Sequence, residues 1–160
     1  MNKQMIRVLL FDFARVLLFP KDNNYSGKLN DLYKAVKDNN SFDFESNFHF
    51  NEELLEYLRN IKGEFRLVMF TSENIQEDPV VKEKLNGIFE EVISAKELFL
   101  SKSDPKVYGL ITSKLGCNAD EILFVDDSKE NIRSAVSVGI NTHLFSDTRD
   151  LLRILELLRD

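Results

Sequence analysis

The stretch IRVLLFD at residues 6–12 decides how this chain folds, because it is an apolar run that stops at an aspartate, Asp12. Far along the chain a second apolar run, ILFV at residues 122–125, stops at Asp126 and Asp127. Two buried strands of a parallel sheet that both end in carboxylates can aim them into one crevice. Carboxylates held that close need a cation between them. The pattern therefore indicates a metal-dependent phosphate site.

Composition favours one domain spanning residues 1–160. The chain has 160 residues, of which 43% are hydrophobic and 11% aromatic, and this is enough to bury a full core. The formal net charge of -6 and a pI near 5.1 argue against general nucleic-acid binding, since no basic stripe is present to release counterions from a phosphate backbone. Nucleic acid is therefore not an expected partner.

The sequence carries no signal for secretion or for a membrane. Its one cysteine, Cys117, cannot form an internal disulfide. No apolar stretch approaches the roughly 18 to 20 residues that span a membrane, and the segment before the first apolar run is too short for a charged leader. We expect a cytoplasmic protein with no membrane partner.

The order of the predicted elements is typical of an α/β protein. Short apolar runs alternate with segments of helical period, which predicts a parallel sheet covered by helices on both faces. Five strands are expected, at residues 5–11, 66–70, 91–94, 121–125 and 141–145.

Helix boundaries are marked by capping residues. Asn51 is placed to cap a helix that ends near Gly63, and Asp104 followed by Pro105 begins another. Two further helices are expected, one ending at Gly139 and one near the C-terminal end of the chain.

Residues 20–50 interrupt this alternation and are interpreted as a small cap insertion. The segment is polar and rich in turn residues at its start, contains one possible short helix at 29–37, and ends in an alternation of aromatic and polar residues. Because it follows the first strand, it is expected above the carboxyl edge of the sheet, where active-site covers lie. The competing interpretation is that its aromatics, Phe42, Phe44, Phe48 and Phe50, simply pack the insertion onto the body.

Four landmarks occur in a fixed order. They are FDFARVLL at 11–18, Thr71 with Ser72 at the end of a strand, KSDPKVY at 102–108, and FVDDSKENIRSA at 124–135. In that order they resemble the four motifs of the haloacid dehalogenase-like (HAD) superfamily, most of whose members are magnesium-dependent phosphatases. The resemblance runs nearly end to end. It implies a Rossmann-like α/β fold with a five-stranded parallel sheet and a short, reduced cap.

The resemblance also implies a metal site. Asp12 would be the nucleophile that becomes an aspartyl phosphate. Mg²⁺ would be held by Asp12, by the backbone carbonyl of Ala14, and by Asp127 or Asp126, with waters completing the shell. The backbone carbonyl at position 14 is available as a ligand whatever the side chain there.

The phosphate-binding residues follow from the other two motifs. Thr71 would offer its hydroxyl and Ser72 its backbone N–H to a phosphoryl oxygen, with Thr71 favoured for the hydroxyl role because it directly follows the apolar run. Lys102 would place an ammonium between the phosphate and the nucleophile, and its purpose is charge compensation. The alternative is that Lys102 is an ordinary solvated surface lysine, and a second lysine, Lys106, lies nearby in the sequence.

The first motif departs from the family at two positions. HAD phosphatases carry a second aspartate two residues after the nucleophile, which protonates the leaving group and then activates water, and Ala14 stands there. A positioned acid/base contributes about 10² to 10⁴ in rate. Arg15 replaces the glycine that follows, so a long cation either reaches the phosphate or folds away into solvent.

These departures leave several functions open. We predict a slow or specialised Mg²⁺-dependent phosphohydrolase for a phosphorylated small molecule or a larger phosphorylated substrate. The runner-up is a non-catalytic pseudophosphatase that binds phosphate or a protein partner. Phosphonoacetaldehyde hydrolases share the alanine but need a cap lysine, haloacid dehalogenases lack the paired aspartates, and a receiver domain has its acidic residues in the reverse order. Oligomeric state is left open.

Overall fold

A five-stranded parallel sheet lies at the centre of the computed structural model, which describes residues 5–160. The strands in this part of the chain are β1 (Val8–Asp12), β2 (Leu18–Pro20), β3 (Phe48–Phe50), β4 (Arg66–Thr71), β5 (Glu91–Ser94), β6 (Ile122–Asp126) and β7 (Asn141–Leu144). The sheet order is β5-β4-β1-β6-β7, and β2 and β3 form a separate antiparallel pair. The predicted Rossmann-like α/β architecture is confirmed.

Helices connect the strands and cover both faces. They are α1 (Leu29–Val36), α2 (Phe44–Asn47), α3 (Glu52–Ile61), α4 (Pro79–Leu85), α5 (Pro105–Leu115), α6 (Lys129–Ser137) and α7 (Thr148–Arg159). The predicted caps form: the Asn51 side chain accepts from the backbone N–H of Leu54 at 3.2 Å, and Asp104 accepts from that of Lys106 at 3.0 Å. Sequence analysis missed α4, although Asp78 caps it with the same aspartate-proline signature.

The register of the sheet brings the ends of three strands to one edge. β1 is buried along its whole length and pairs with β4 on one side and β6 on the other. Asp12 lies opposite Phe70, one residue before the end of β4, and Phe11 lies opposite Val125, one residue before the end of β6. Carboxyl ends of parallel strands therefore place their last residues around one crevice.

The core has two layers, one on each face of the sheet. Leu9 and Phe11 of β1 pack with α3, α4 and α7, whereas Val8 and Leu10 pack with α5 and α6. This alternation follows from the two-residue period of a strand. Both faces are apolar, as a buried parallel strand requires.

The insertion at residues 20–50 lies outside the five-stranded sheet but is not free of strand structure. Its ends pair as β2 and β3, a feature that the interpretation of residues 20–50 as a cap insertion did not include. Leu29, Phe44 and Phe48 are at most 3% exposed and belong to the core layer of α3 and α7. The aromatics therefore do pack the insertion onto the body. Removal of the segment would uncover that layer.

We predict that Phe48→Ala destabilises the protein by about 3–5 kcal/mol, since a buried phenylalanine loses its transfer free energy and leaves a cavity. Urea denaturation followed by circular dichroism measures the change. Phe99→Ala is the matched control, because Phe99 is 93% exposed and its truncation should leave the midpoint unchanged. Equal midpoints for Phe48→Ala and the parent would contradict the assignment of the insertion to the core.

Candidate active site

A buried ammonium joins two of the predicted acids. Lys102 Nζ lies 2.6 Å from Asp12 Oδ1 and 2.8 Å from Asp126 Oδ2, and it donates to the backbone carbonyl of Phe70 at 3.1 Å. These contacts occupy the three donors of the ammonium. Lys102 is only 4% exposed, so the interpretation of a solvated surface lysine does not hold.

The loop that carries Lys102 is fixed by the neighbouring helices. The Tyr108 hydroxyl, in α5, donates to the Lys102 carbonyl at 2.6 Å, and the Ser134 hydroxyl, in α6, donates to the Ser103 carbonyl at 2.5 Å. The lysine nitrogen also lies 4.9 Å from the ring centroid of Phe70. Aromatic walls and two anchoring hydroxyls therefore hold the ammonium in place.

Asp126 and Asp127 have different environments although they are adjacent. Asp126 is fully buried, and its Oδ1 accepts from the backbone N–H of Ser128 at 2.8 Å. The Asn131 amide donates to both of its oxygens, at 3.2 and 3.3 Å. Asp127 is exposed and lines the pocket. Asp126 thus positions Lys102, and Asp127 is the more open of the two carboxylates.

One oxygen from each of Asp12, Asp126 and Asp127 lies within 4.8 Å of the others. Three carboxylates beside one ammonium leave two negative charges uncompensated when all are ionised. This donor set fits a hard divalent cation, which prefers carboxylate and carbonyl oxygens. Ala14, the predicted source of a carbonyl ligand, lines the same pocket.

The excess of acids shifts protonation in the metal-free protein. Burial raises the pKa of Asp12 well above its ordinary value, Lys102 opposes this, and the charges of Asp126 and Asp127 reinforce it. Burial also raises the pKa of Asp127. For Lys102, burial lowers the pKa, but the attraction of Asp12 and Asp126 outweighs it and the pKa is raised.

A pocket of about 620 Å³ opens above this cluster. It is walled by the body on one side and by residues 26–31 of the insertion on the other. Ser72 is exposed and lines it, whereas Thr71 is 3% exposed at the end of β4. Both residues therefore lie at the predicted edge, and Ser72 presents the open surface.

Arg15 neither reaches toward the nucleophile nor extends into solvent. Its Nη2 donates to the backbone carbonyls of Tyr25 at 3.0 Å and Gly27 at 2.7 Å, both in the insertion. Its backbone has φ of +62°, a left-handed conformation that favours glycine and costs another residue on the order of 1–3 kcal/mol. Arg15 thus adopts a backbone conformation that favours glycine, and its side chain links this turn to the insertion.

Sequence reasoning missed two residues that support the site. Asn131 holds both oxygens of Asp126, and Tyr108 fixes the backbone of Lys102. Both stand inside the quoted motifs, five residues after Asp126 and six after Lys102. Their spacing on the first turn of a following helix was the available signal, because a residue there faces back toward the preceding loop.

Comparison with known proteins identifies the family. Residues 11–145 match the model of the haloacid dehalogenase-like hydrolases, so the chain belongs to that family. The resemblance inferred from the four motifs is therefore confirmed at the level of the superfamily.

Two curated relatives match over part of the chain. Bifunctional epoxide hydrolase 2 of Rattus norvegicus is 30% identical over 73 residues, which are 46% of this chain and 13% of that protein. (S)-2-haloacid dehalogenase 4A of Burkholderia cepacia is 32% identical over 59 residues, which are 37% of this chain and 26% of that protein. The match covers about a quarter or less of each relative's length.

Solved structures share the fold across almost the whole chain. A HAD family enzyme of Bacteroides thetaiotaomicron, in complex with magnesium and inorganic phosphate, superposes with a TM-score of 0.68 at 16% identity, covering 91% of this chain and 98% of that one. A HAD-like family hydrolase of Porphyromonas gingivalis gives a TM-score of 0.68 at 16% identity, covering 98% and 99%. At this identity the likeness shows the fold alone. Across residues 5–160, no helix combines the length and the apolar character needed to cross a bilayer.

We predict that Lys102→Met destabilises the metal-free protein by about 3–5 kcal/mol near pH 7.5, because it leaves buried carboxylates without their cation. The loss should shrink toward pH 5. Without the ammonium, the folded-state pKa of Asp12 rises further above its unfolded value, and such a group contributes stability that is present at low pH and lost as pH rises.

Urea denaturation at the two pH values measures this effect, with the exposed Lys106→Met as the matched control. A Lys102→Met variant as stable as the control at both pH values would contradict the described ion pairs.

Proposed function

We propose that the protein is a Mg²⁺-dependent phosphohydrolase that cleaves a phosphate ester through an aspartyl phosphate on Asp12. The observation that carries the proposal is the cluster itself. Asp12 lies at the end of the central strand, at the floor of a pocket of about 620 Å³. One of its oxygens forms an ion pair with Lys102, and an Asp12 oxygen lies within 4.8 Å of oxygens of two other acids. Phosphoryl transfer needs a nucleophile in line with the leaving oxygen and positive charge beside the phosphoryl oxygens. Asp12 would be that nucleophile, and the positive charge would come from Lys102 and from a cation held by the acids.

The metal would be held by Asp12, Asp127 and the backbone carbonyl of Ala14, and Asp126 would lie next to these ligands. When bound, Mg²⁺ supplies charge neutralisation between the nucleophile and the incoming phosphate. Lys102 orients Asp12 through the 2.6 Å contact and keeps its ammonium beside the reacting oxygen. Ser72 and Thr71, at the end of β4, offer N–H and hydroxyl donors to the remaining phosphoryl oxygens.

The clustered acids support a phosphatase over a dehalogenase. Dehalogenation of a small acid needs a carboxylate nucleophile but no metal to shield a phosphate dianion. Here oxygens of Asp12, Asp126 and Asp127 lie close together, and their uncompensated negative charge favours the binding of a cation. The magnesium and phosphate in the Bacteroides structure support the same choice.

A second candidate is a protein that binds a phosphorylated ligand without turnover. Ala14 favours it, because no carboxylate stands where HAD phosphatases keep their acid/base. The same cluster would then hold Mg²⁺ and phosphate as a recognition site. Turnover decides between the two candidates.

We predict Mg²⁺-dependent release of phosphate from at least one member of a broad set of phosphorylated metabolites, phosphopeptides and p-nitrophenyl phosphate. Asp12→Asn should abolish it, since the amide cannot attack phosphorus. Malachite-green detection, with and without EDTA, measures the release.

Two controls sharpen this screen. Glu97→Gln changes an exposed carboxylate outside the pocket and should keep the parent's activity. Halide release from 2-chloropropionate tests the dehalogenase alternative. Phosphate release that survives in Asp12→Asn, or halide release in place of phosphate release, would contradict the proposal, and Mg²⁺ binding with no release would favour the binder.

We also predict that Mg²⁺ affinity increases as pH rises from about 5 to 8. The raised pKa values of Asp12 and Asp127 mean that protons compete with the metal at low pH, and binding requires the carboxylates to be ionised. Isothermal titration calorimetry in buffers of different ionisation enthalpy measures both the affinity and the protons released. An affinity independent of pH, with no proton release, would rule out these carboxylates as the ligands.

A further inference from the structure

The reaction proposed above lacks a proton donor at its usual position, and the structure offers a replacement. This inference rests on the proposed function. Position 14 carries a methyl group, so the leaving alkoxide must take its proton from another group that faces the pocket. We propose that the Asp31 carboxyl group is that acid and base, and that Arg15 is the positioning residue that brings it into the pocket.

Arg15 supplies the geometric link. Its guanidinium holds the carbonyls of Tyr25 and Gly27, at 3.0 and 2.7 Å, and α1 begins two residues after Gly27. Asp31 lies in the first turn of α1, four residues beyond the anchored glycine. The residue that follows the missing acid in the sequence therefore fixes the segment that carries the new one.

Asp31 and Asp12 line the same pocket, with Ala14 between the nucleophile and Arg15 in the sequence. Asp31 is exposed. Its charge acts on Lys34, three residues further along α1, and contributes to the raised pKa of that ammonium. A carboxylate that lines the crevice from an anchored wall can exchange a proton with a bound substrate within its reach.

Two other carboxylates outside the metal cluster line this pocket, and each is less suited. Glu73 forms an ion pair with Lys34 at 2.8 Å, so its carboxylate is engaged. Glu130 lies in α6, on the wall that carries Asp127. Asp31 approaches from the insertion, the wall tied directly to the loop of Ala14 and Arg15.

The proposed reaction has two steps. In the first, Asp12 Oδ forms a bond to phosphorus, the ester P–O bond breaks, and the leaving oxygen takes the proton of the Asp31 carboxylic acid. In the second, water attacks phosphorus while the Asp31 carboxylate accepts its proton. The bond between phosphorus and Asp12 then breaks, which releases phosphate and restores both residues.

The test compares Asp31→Asn with the matched control Glu130→Gln on an alkyl phosphate taken from the screen and on p-nitrophenyl phosphate. For Asp31→Asn, kcat/KM should fall by about 10² to 10⁴ on the alkyl phosphate and by less than about threefold on the aryl phosphate, whose leaving group needs no proton. On the aryl phosphate only the second step slows, so there the variant should accumulate phosphorylated Asp12. Mass spectrometry of the intact protein detects it. Glu130→Gln should match the parent on both substrates.

Coupling to Arg15 distinguishes positioning from general damage. Arg15→Ala should lower kcat/KM on the alkyl phosphate in the parent and have little further effect in the Asp31→Asn background. Ala14→Asp should restore activity to Asp31→Asn, because it returns a carboxyl group to the family's usual position. Arg15→Gly is a second variant that relieves the left-handed strain while it removes the anchor.

The outcomes separate this inference from the proposed function. No Mg²⁺-dependent turnover by the parent would overturn both. Turnover that needs Asp12 but is unchanged in Asp31→Asn would overturn only the role of Asp31, and a selective loss in Glu130→Gln would reassign it. Equal losses on both substrates, without phosphoenzyme, would show that Asp31 acts only on structure.

Discussion

The buried ammonium of Lys102 is the interaction on which the site depends. It joins Asp12, from the end of β1, to Asp126, from the end of β6, and donates to the carbonyl of Phe70 near the end of β4. Three adjacent strands are therefore tied at one edge by one side chain. Desolvation of such charges is costly unless each is paired. The three contacts of the nitrogen meet that requirement and also aim the nucleophile.

Most of the fold could be predicted because its signals are local and repeated. Apolar runs indicated the five strands within a few residues, and Asn51 and Asp104 indicated where two helices begin. The exceptions have a physical cause. β2 and β3 are each three residues long, and pairing across the insertion decides them, so no window of sequence shows their periodicity.

The sequence predicted which residues lie at the candidate site, but not the separate role of each. Motif order located Asp12, Lys102 and the adjacent aspartates, because these residues end strands or begin helices. It left Asp126 and Asp127 interchangeable. Only the contacts of Ser128 and Asn131, which depend on how α6 packs, show which aspartate is enclosed. The direction of the Arg15 side chain was equally inaccessible, since its acceptors are backbone carbonyls that any sequence could supply.

The uncompensated charge of the acidic cluster makes the stability of the fold sensitive to ligand binding. A ligand that binds only the folded state raises the melting temperature in proportion to the logarithm of its concentration over its dissociation constant. Cations and phosphate mimics that relieve repulsion among the acids should therefore raise the melting temperature of the protein. Ligand discovery for this protein can thus proceed from melting curves alone, before any reaction has been observed.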